Sequence, residues 1–143
     1  MYSILSDIKN TITAHMADFT IPLGAVVGSY DVDTGRDYPI VVVQEVSNLP
    51  QAIVSNKGES RTTVAYQLDI LTRDALDKDD VPINRGDAAL LIARELAELL
   101  DEHFKLTRIS TAELPSTPDA VRYIMRVQGV IDEYGFTYRP SVF

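Results

Sequence analysis

Cysteine and tryptophan are absent from the 143 residues, and histidine occurs only as His15 and His103. Zinc fingers and redox centres are built from thiolates and clustered imidazoles, so those classes are excluded. Disulfide stapling is excluded with them, and a chain of this length does not need it. A domain near 150 residues already hides roughly 68–70% of the surface that its unfolded chain exposes. Long hydrophobic runs are also missing, since no stretch approaches the ~20 apolar residues of a membrane-spanning helix. The N-terminal MYSILSDIKNTITAHMADF has Asp7 and Lys9 inside its apolar pattern, unlike the positive-then-apolar layout of a signal peptide. The expectation is a soluble protein with no membrane partner, left in the compartment where it is made.

Positive charge is scarce. Thirteen Lys and Arg stand against twenty-one Asp and Glu, a net charge of −8. That argues against wrapping a nucleic acid, because phosphate binding is driven by Lys and Arg displacing counterions. Surplus carboxylates also have the plain effect of keeping a protein in solution. Repeats, low-complexity tracts and Gly/Ser linkers are absent, and the length fits one domain spanning residues 1–143.

Catalytic signatures are lacking as well. There is no G-x-S-x-G elbow and no phosphate-binding glycine loop. A nucleophile needs a base within reach and a third group to hold that base. His15 lies beside Met16 on a helical pattern, and His103 falls in the last turn of another, where the helix dipole favours a cation. Both are read as structural. Asp74, Asp77, Asp79 and Asp80 offer the carboxylate oxygens that Mg²⁺ or Ca²⁺ prefer, but the glycine and closing glutamate of an EF-hand are missing. The cluster reads as a solvated connector. No enzyme activity, cofactor or metal ligand is expected.

What is present is organisation. Ile4, Leu5, Ile8, Ile12, Met16 and Phe19 recur at three- and four-residue spacing and predict an amphipathic helix. AVVGSYDV predicts a short strand and DTGRD a turn. IVVVQEV, β-branched nearly throughout, predicts an interior strand buried on both faces. Val64, Tyr66, Leu68 and Ile70 alternate with Ala65, Gln67 and Asp69, as in a strand with one face on the core. These two strands are expected to pair antiparallel. After the charged RDALDKDDVPINRGD, with Asn84 or Asp87 as helix cap, AALLIARELAELLDEHF sets Leu90, Ala93, Leu96, Ala97, Leu100 and Phe104 on one stripe. TRISTAEL predicts a short strand, PSTPD a turn, and AVRYIMRVQGVIDEYGF a long last strand with a bulge or bend at Gly129. The order predicts an α+β domain: a mostly antiparallel sheet of about four to five strands with two main helices on one face.

Between the two best strands lies SNLPQAIVSNKGESR, Ser47 to Arg61, which reads as a loop at the upper limit of what a compact domain carries without a reason. It mixes turn formers with the apolar AIV, a composition that points to a partner rather than to a plain linker. Arg122, Arg126 and Arg139 interleave with Tyr123, Tyr134 and Tyr138 near the C-terminus. Such pairing suits nucleic acid or protein contacts, and the acidic balance favours protein.

The layout resembles the tail terminator (tail completion, or minor capsid) proteins of long-tailed bacteriophages. The likeness runs over nearly the whole chain, through the N-terminal amphipathic helix, YPIVVVQEVSN, the long loop, TTVAYQLDILTRD, the Leu/Ala-rich helix and VRYIMRVQGVIDEYGFTYR. The resemblance implies a structural virion protein, a homohexameric ring on the head-proximal end of the tail tube. It would end tube polymerisation and join the tail to a head completion or connector protein. Location would be the virion, with assembly in the host cytoplasm. Asn48, Leu49, Gln51, Ile53, Val54, Lys57 and Arg61 are then the candidates for contact with the tube or a neighbouring subunit. Asp77, Asp79 and Asp80 are the candidates for an acidic bore through which DNA passes only as cargo. A different neck protein, an acidic DNA mimic that inhibits a nuclease, and a carboxylate-metal enzyme remain open alternatives.

Overall fold

The computed structural model describes residues 4–28, 38–50, 61–77, 79–117, 120–132 and 137–138. Helix α1 (Leu5–Ala14) turns Ile8 and Ile12 inward. A 3₁₀ turn (Met16–Asp18) then carries the chain to buried Phe19. The strands are β1 (Ala25–Val27), β2 (Ile40–Pro50), β3 (Arg61–Thr72) and the two-residue pair β4 (Ala75–Leu76) and β5 (Pro82–Ile83). Helix α2 (Arg85–Phe104) follows, then β6 (Thr107–Thr117), β7 (Ala120–Asp132) and β8 (Thr137–Tyr138). The main sheet runs β1-β2-β3-β7-β6, with β8 on β7. All its pairings are antiparallel except β1 on β2.

Period-two alternation and register together build the core. Val43 lies opposite Leu68 and Leu68 opposite Met125, while Val41, Ile70 and Tyr123 form the next row. These rows face Ile8 and Ile12 of α1 and Ala88, Ala89, Ile92, Ala93, Leu96 and Leu100 of α2. The fold is therefore α+β, with both helices on one face of a mostly antiparallel sheet. On the other face Ile40, Val42 and Leu71 pack with Ala25, Val27 and Tyr38. This explains why IVVV is buried on both sides.

Helix α2 starts where the sequence says. Asn84 is its N-cap and its Oδ1 accepts the Asp87 N–H at 2.9 Å, while its Nδ2 donates to the Asp87 carboxylate at 3.0 Å. The buried stripe differs from the one expected. Leu90 is 48% exposed, and Ala88, Ala89 and Ile92 take the inner positions. Rotation of the stripe toward the small alanines lets the helix lie close on β3 and β7.

Three local expectations are corrected. The charged connector contains the β4–β5 hairpin. PSTPD is not all turn, because Pro115 pairs with Val121 and Thr117 with Ala120. Gly129 marks no bulge in its pairing with β3, where it lies opposite Val64 in regular register. It marks a close approach instead. Lys105, at φ 55°, closes α2 in the left-handed region, and the Leu106 N–H reaches back to the Leu100 carbonyl at 3.3 Å. That ending drives Leu106 into the core, where a Cβ on Gly129 would lie 2.6 Å from Leu106 Cδ2.

Gly129→Ala is accordingly expected to cost about 1–3 kcal/mol through forced repacking of Leu106. The penalty should shrink in a Leu106→Ala background, because the two sites share one contact. Urea midpoints of the four variants measure the coupling. Equal penalties in both backgrounds would locate the cause elsewhere.

Candidate interaction surfaces of the sheet

The β2–β3 hairpin corrects the expected loop. Ser47, Asn48, Leu49 and Pro50 pair with Ala65, Val64, Thr63 and Thr62, and Arg61 pairs with Asp132. Ser47–Pro50 and Arg61 are thus strand, and only residues 51–60 join the two. Turn-forming composition misled here because cross-strand pairing holds Asn48 extended and tolerates Pro50 at a strand end, where a missing N–H costs little. Of the candidate contact residues, Asn48, Leu49 and Arg61 stand on paired strands. Gln51, Ile53, Val54 and Lys57 lie outside the described residues. Below them β2 has a bulge, with Val46 as its extra residue, 44% exposed beside exposed Glu45.

The acidic connector has a local explanation. Asp77 Oδ1 accepts the Asp79 N–H at 2.8 Å and the Val81 N–H at 2.9 Å, and the Asp80 N–H donates to the Asp77 carbonyl at 3.1 Å. Asp77 therefore builds the β4–β5 turn, with Asp80 at φ 60°. Asp79 and Asp80 are exposed. Asp74 accepts the Arg85 N–H at 2.9 Å and so braces the first turn of α2. Among the described residues no three His, Cys, Asp or Glu side chains could jointly hold a metal ion.

On the sheet face away from the helices, alternation suggested that Asp69 meets solvent, yet its exposure is 0%. Arg122 of β7 donates to Asp69 Oδ2 through Nε at 2.9 Å and an Nη at 2.7 Å. Gln67 Nε2 donates to Oδ1 at 2.8 Å, and Arg126 Nε donates to Gln67 Oε1 at 3.1 Å. A four-residue polar chain thus crosses β3 and β7. Arg122 is held by Asp69 rather than offered whole to a partner. Arg126 is exposed, Tyr138 lies on β8, and Tyr134 and Arg139 fall outside the described residues.

Both histidines sit where the helix ends meet. His15 and His103 have ring centroids 5.4 Å apart, and His15 Nδ1 lies 2.8 Å from the Thr11 carbonyl. Glu95 accepts the Thr20 N–H at 3.0 Å, tying the chain after the 3₁₀ turn to α2. These contacts fasten α1 to α2.

The surface that sequence reasoning missed is β6. Expected as a short strand, it is eleven residues long and forms one border of the sheet. Every side chain from Thr107 to Leu114 is exposed, including Ile109 at 51% and Leu114 at 42%. Ile109 is the extra residue of a bulge, and with Leu90, Thr111 and Tyr123 it lines an open groove beside α2. The only signal in TRISTAEL is the lack of clean alternation, which fits a border strand solvated on both faces. Among the described residues no helix is long and apolar enough to cross a membrane. No family model matches the chain, and no curated protein matches it in sequence.

Proposed function

We propose that this chain is a structural assembly protein of a long phage tail. Copies close into a ring on the head-proximal end of the tail tube, stop its growth and present the opposite side to the head connector. The observation that carries this reading is the β2–β3 hairpin. Its strands continue past Val43 and Val64, the last residues of β2 and β3 in the helix-covered core. Asn48, Leu49 and Arg61 stand on that extension, beside the connection that contains Gln51, Ile53, Val54 and Lys57. This end of the sheet, where β7 backs the β3 side from Arg61 to Val64, is suited to contact a tube subunit, and the sequence layout resembling tail terminators supports the same role.

The acidic balance fits a conduit. Six copies at −8 each carry −48, and exposed Asp79 and Asp80, on the turn that Asp77 shapes, are suited to line a bore that repels passing DNA. A neutral or basic potential along the bore of the assembled ring would remove that part of the reading.

Imaging growing tail tubes mixed with the purified chain tests the function. Rings at one end of each tube, with elongation stopped there, are expected. Ends that stay bare and keep growing would move the protein to the portal side of the neck or out of the virion. Tight inhibition of a nuclease would favour DNA mimicry instead.

A further inference from the structure

We infer that two copies of this chain pair through β6, border to border and antiparallel, about a two-fold axis at Thr111. The inference goes beyond the ring reading and does not rest on it, because it concerns the chain away from the tube.

The openness of β6 is read from its own exposure. Every residue from Thr107 to Leu114 is exposed, on both faces of the sheet, as in a border strand with nothing laid alongside it. Ile109 and Leu114 are large apolar members of that run, and exposed Leu90 of α2 joins Ile109 in the groove beside the strand. A long border with apolar side chains is a template for another strand. Bulges between Arg108 and Ser110 and between Pro115 and Thr117 limit regular pairing to the five residues from Ser110 to Leu114.

Charge makes a second copy the occupant. Arg108 lies opposite Val127 and Glu113 opposite Tyr123, and Val127 and Tyr123 both belong to the helix-covered core. Arg108 and Glu113 therefore share that face although five positions apart, because the extra residue Ile109 takes up the odd step. Glu113 accordingly lies beside Gly86 of α2. Residues opposite each other in an antiparallel pair share a face. Laying Thr111 against Thr111 of the second copy sets Ser110 opposite Ala112 and, past the bulge, Arg108 opposite Glu113. Symmetry repeats that contact, so two pairs of unlike charge flank the axis. Centring on Ala112 instead would set Glu113 opposite Thr111 and lose both. The axis stands normal to the sheet, so both copies keep their helices, and the grooves with Leu90 and Ile109, on one side of a continuous sheet. A contact of this kind closes at two copies. It cannot recur around a ring whose two sides differ, so under the ring reading the pair is a stored form that covers β6 until a subunit leaves it for the tube end.

Charge reversal in the full-length chain tests the contact. Arg108 and Glu113 are exposed, so Arg108→Glu and Glu113→Arg should leave the fold, checked by circular dichroism, unchanged. In analytical ultracentrifugation the wild type is expected to form a dimer with rising concentration. Either reversal sets like charges opposite each other at both contacts and should raise the dimer Kd by at least about tenfold. Mixed in equal amounts, the two variants should dimerise again, because each chain then meets unlike charge at both contacts. The double variant should dimerise alone for the same reason. The chain has no cysteine, so a single introduced thiol reports the axis. Residues directly opposite in an antiparallel pair have Cα atoms about 4.5–5.5 Å apart, within the span of a disulfide. Oxidation should therefore link Thr111→Cys into a covalent dimer and leave Leu114→Cys, whose two copies would stand ~20 Å apart along the strands, unlinked. A wild type that stays monomeric at millimolar concentration overturns the inference, as do single reversals that assemble like wild type. A mixture of the two reversals no more associated than either alone overturns it too, and Leu114→Cys linking as readily as Thr111→Cys removes the axis.

Discussion

Arg122→Met should be among the most damaging single substitutions in the sheet, with an expected loss of about 3–5 kcal/mol. The reason is asymmetry within the pair. Asp69 is fully buried and its Oδ2 accepts both Arg122 bonds, whereas the Arg122 side chain is 36% exposed. Methionine keeps most of the stem that lies on the sheet but leaves a buried carboxylate with less compensation. Asp69→Leu leaves the guanidinium instead, and a third-exposed guanidinium can rehydrate, so its loss should be smaller. The double variant, which replaces the pair by apolar side chains, should recover much of the loss, because desolvating a buried pair consumes most of its Coulombic gain. Urea unfolding of the four proteins gives the cycle. If Arg122→Met costs under about 1 kcal/mol, in the range of an exposed ion pair, the contact does not hold β3 to β7.

The same pair shows where sequence reading succeeds and where it stops. Helix α2 is legible because everything that defines it is local: Asn84 caps Asp87 three residues on, and the apolar period repeats over five turns. β3 and the core face of β7 are legible for the same reason, since alternation is a nearest-neighbour property. Asp69 is not, because its burial depends on Arg122, 53 positions away. A polar residue at an alternate position reads as solvent-facing whenever its partner is unknown. The candidate contact residues are only partly legible. Asn48, Leu49 and Arg61 read as loop but stand on paired strands, because turn-forming composition says nothing of a partner strand. The β6 border was missed, because exposure on both faces follows from being last in the sheet, and strand order is not written in any short segment. Leu90 turns outward for a related reason: the small side chains of Ala88, Ala89 and Ala93 decide which side of α2 comes closest to the sheet.

Tyr66 offers the second large effect, and it too is a long-range contact. The N-cap of helix α1 is Ile4, which has no side chain able to cap it, and the Ile4 N–H would be left in the core without an acceptor. The Tyr66 hydroxyl, 62 residues away on β3, accepts that N–H at 3.0 Å. The ring itself is fully buried under both helices. Two substitutions separate these roles. Tyr66→Phe keeps the ring and removes the acceptor, with an expected cost of about 1–3 kcal/mol for an unsatisfied buried donor. Tyr66→Ala also opens a cavity between the sheet and the helices, and aromatic-to-alanine changes in cores cost about 3–5 kcal/mol. The two should differ in place as well as in size. In Tyr66→Phe, hydrogen exchange should rise mainly at the start of α1 while β3 and β7 stay protected, because local opening there exposes little of the sheet. Tyr66→Ala should lower protection throughout. Uniform loss of protection in Tyr66→Phe would mean that the hydroxyl supports the whole core rather than one helix end. That result would make α1 and the sheet a single cooperative unit joined at Tyr66.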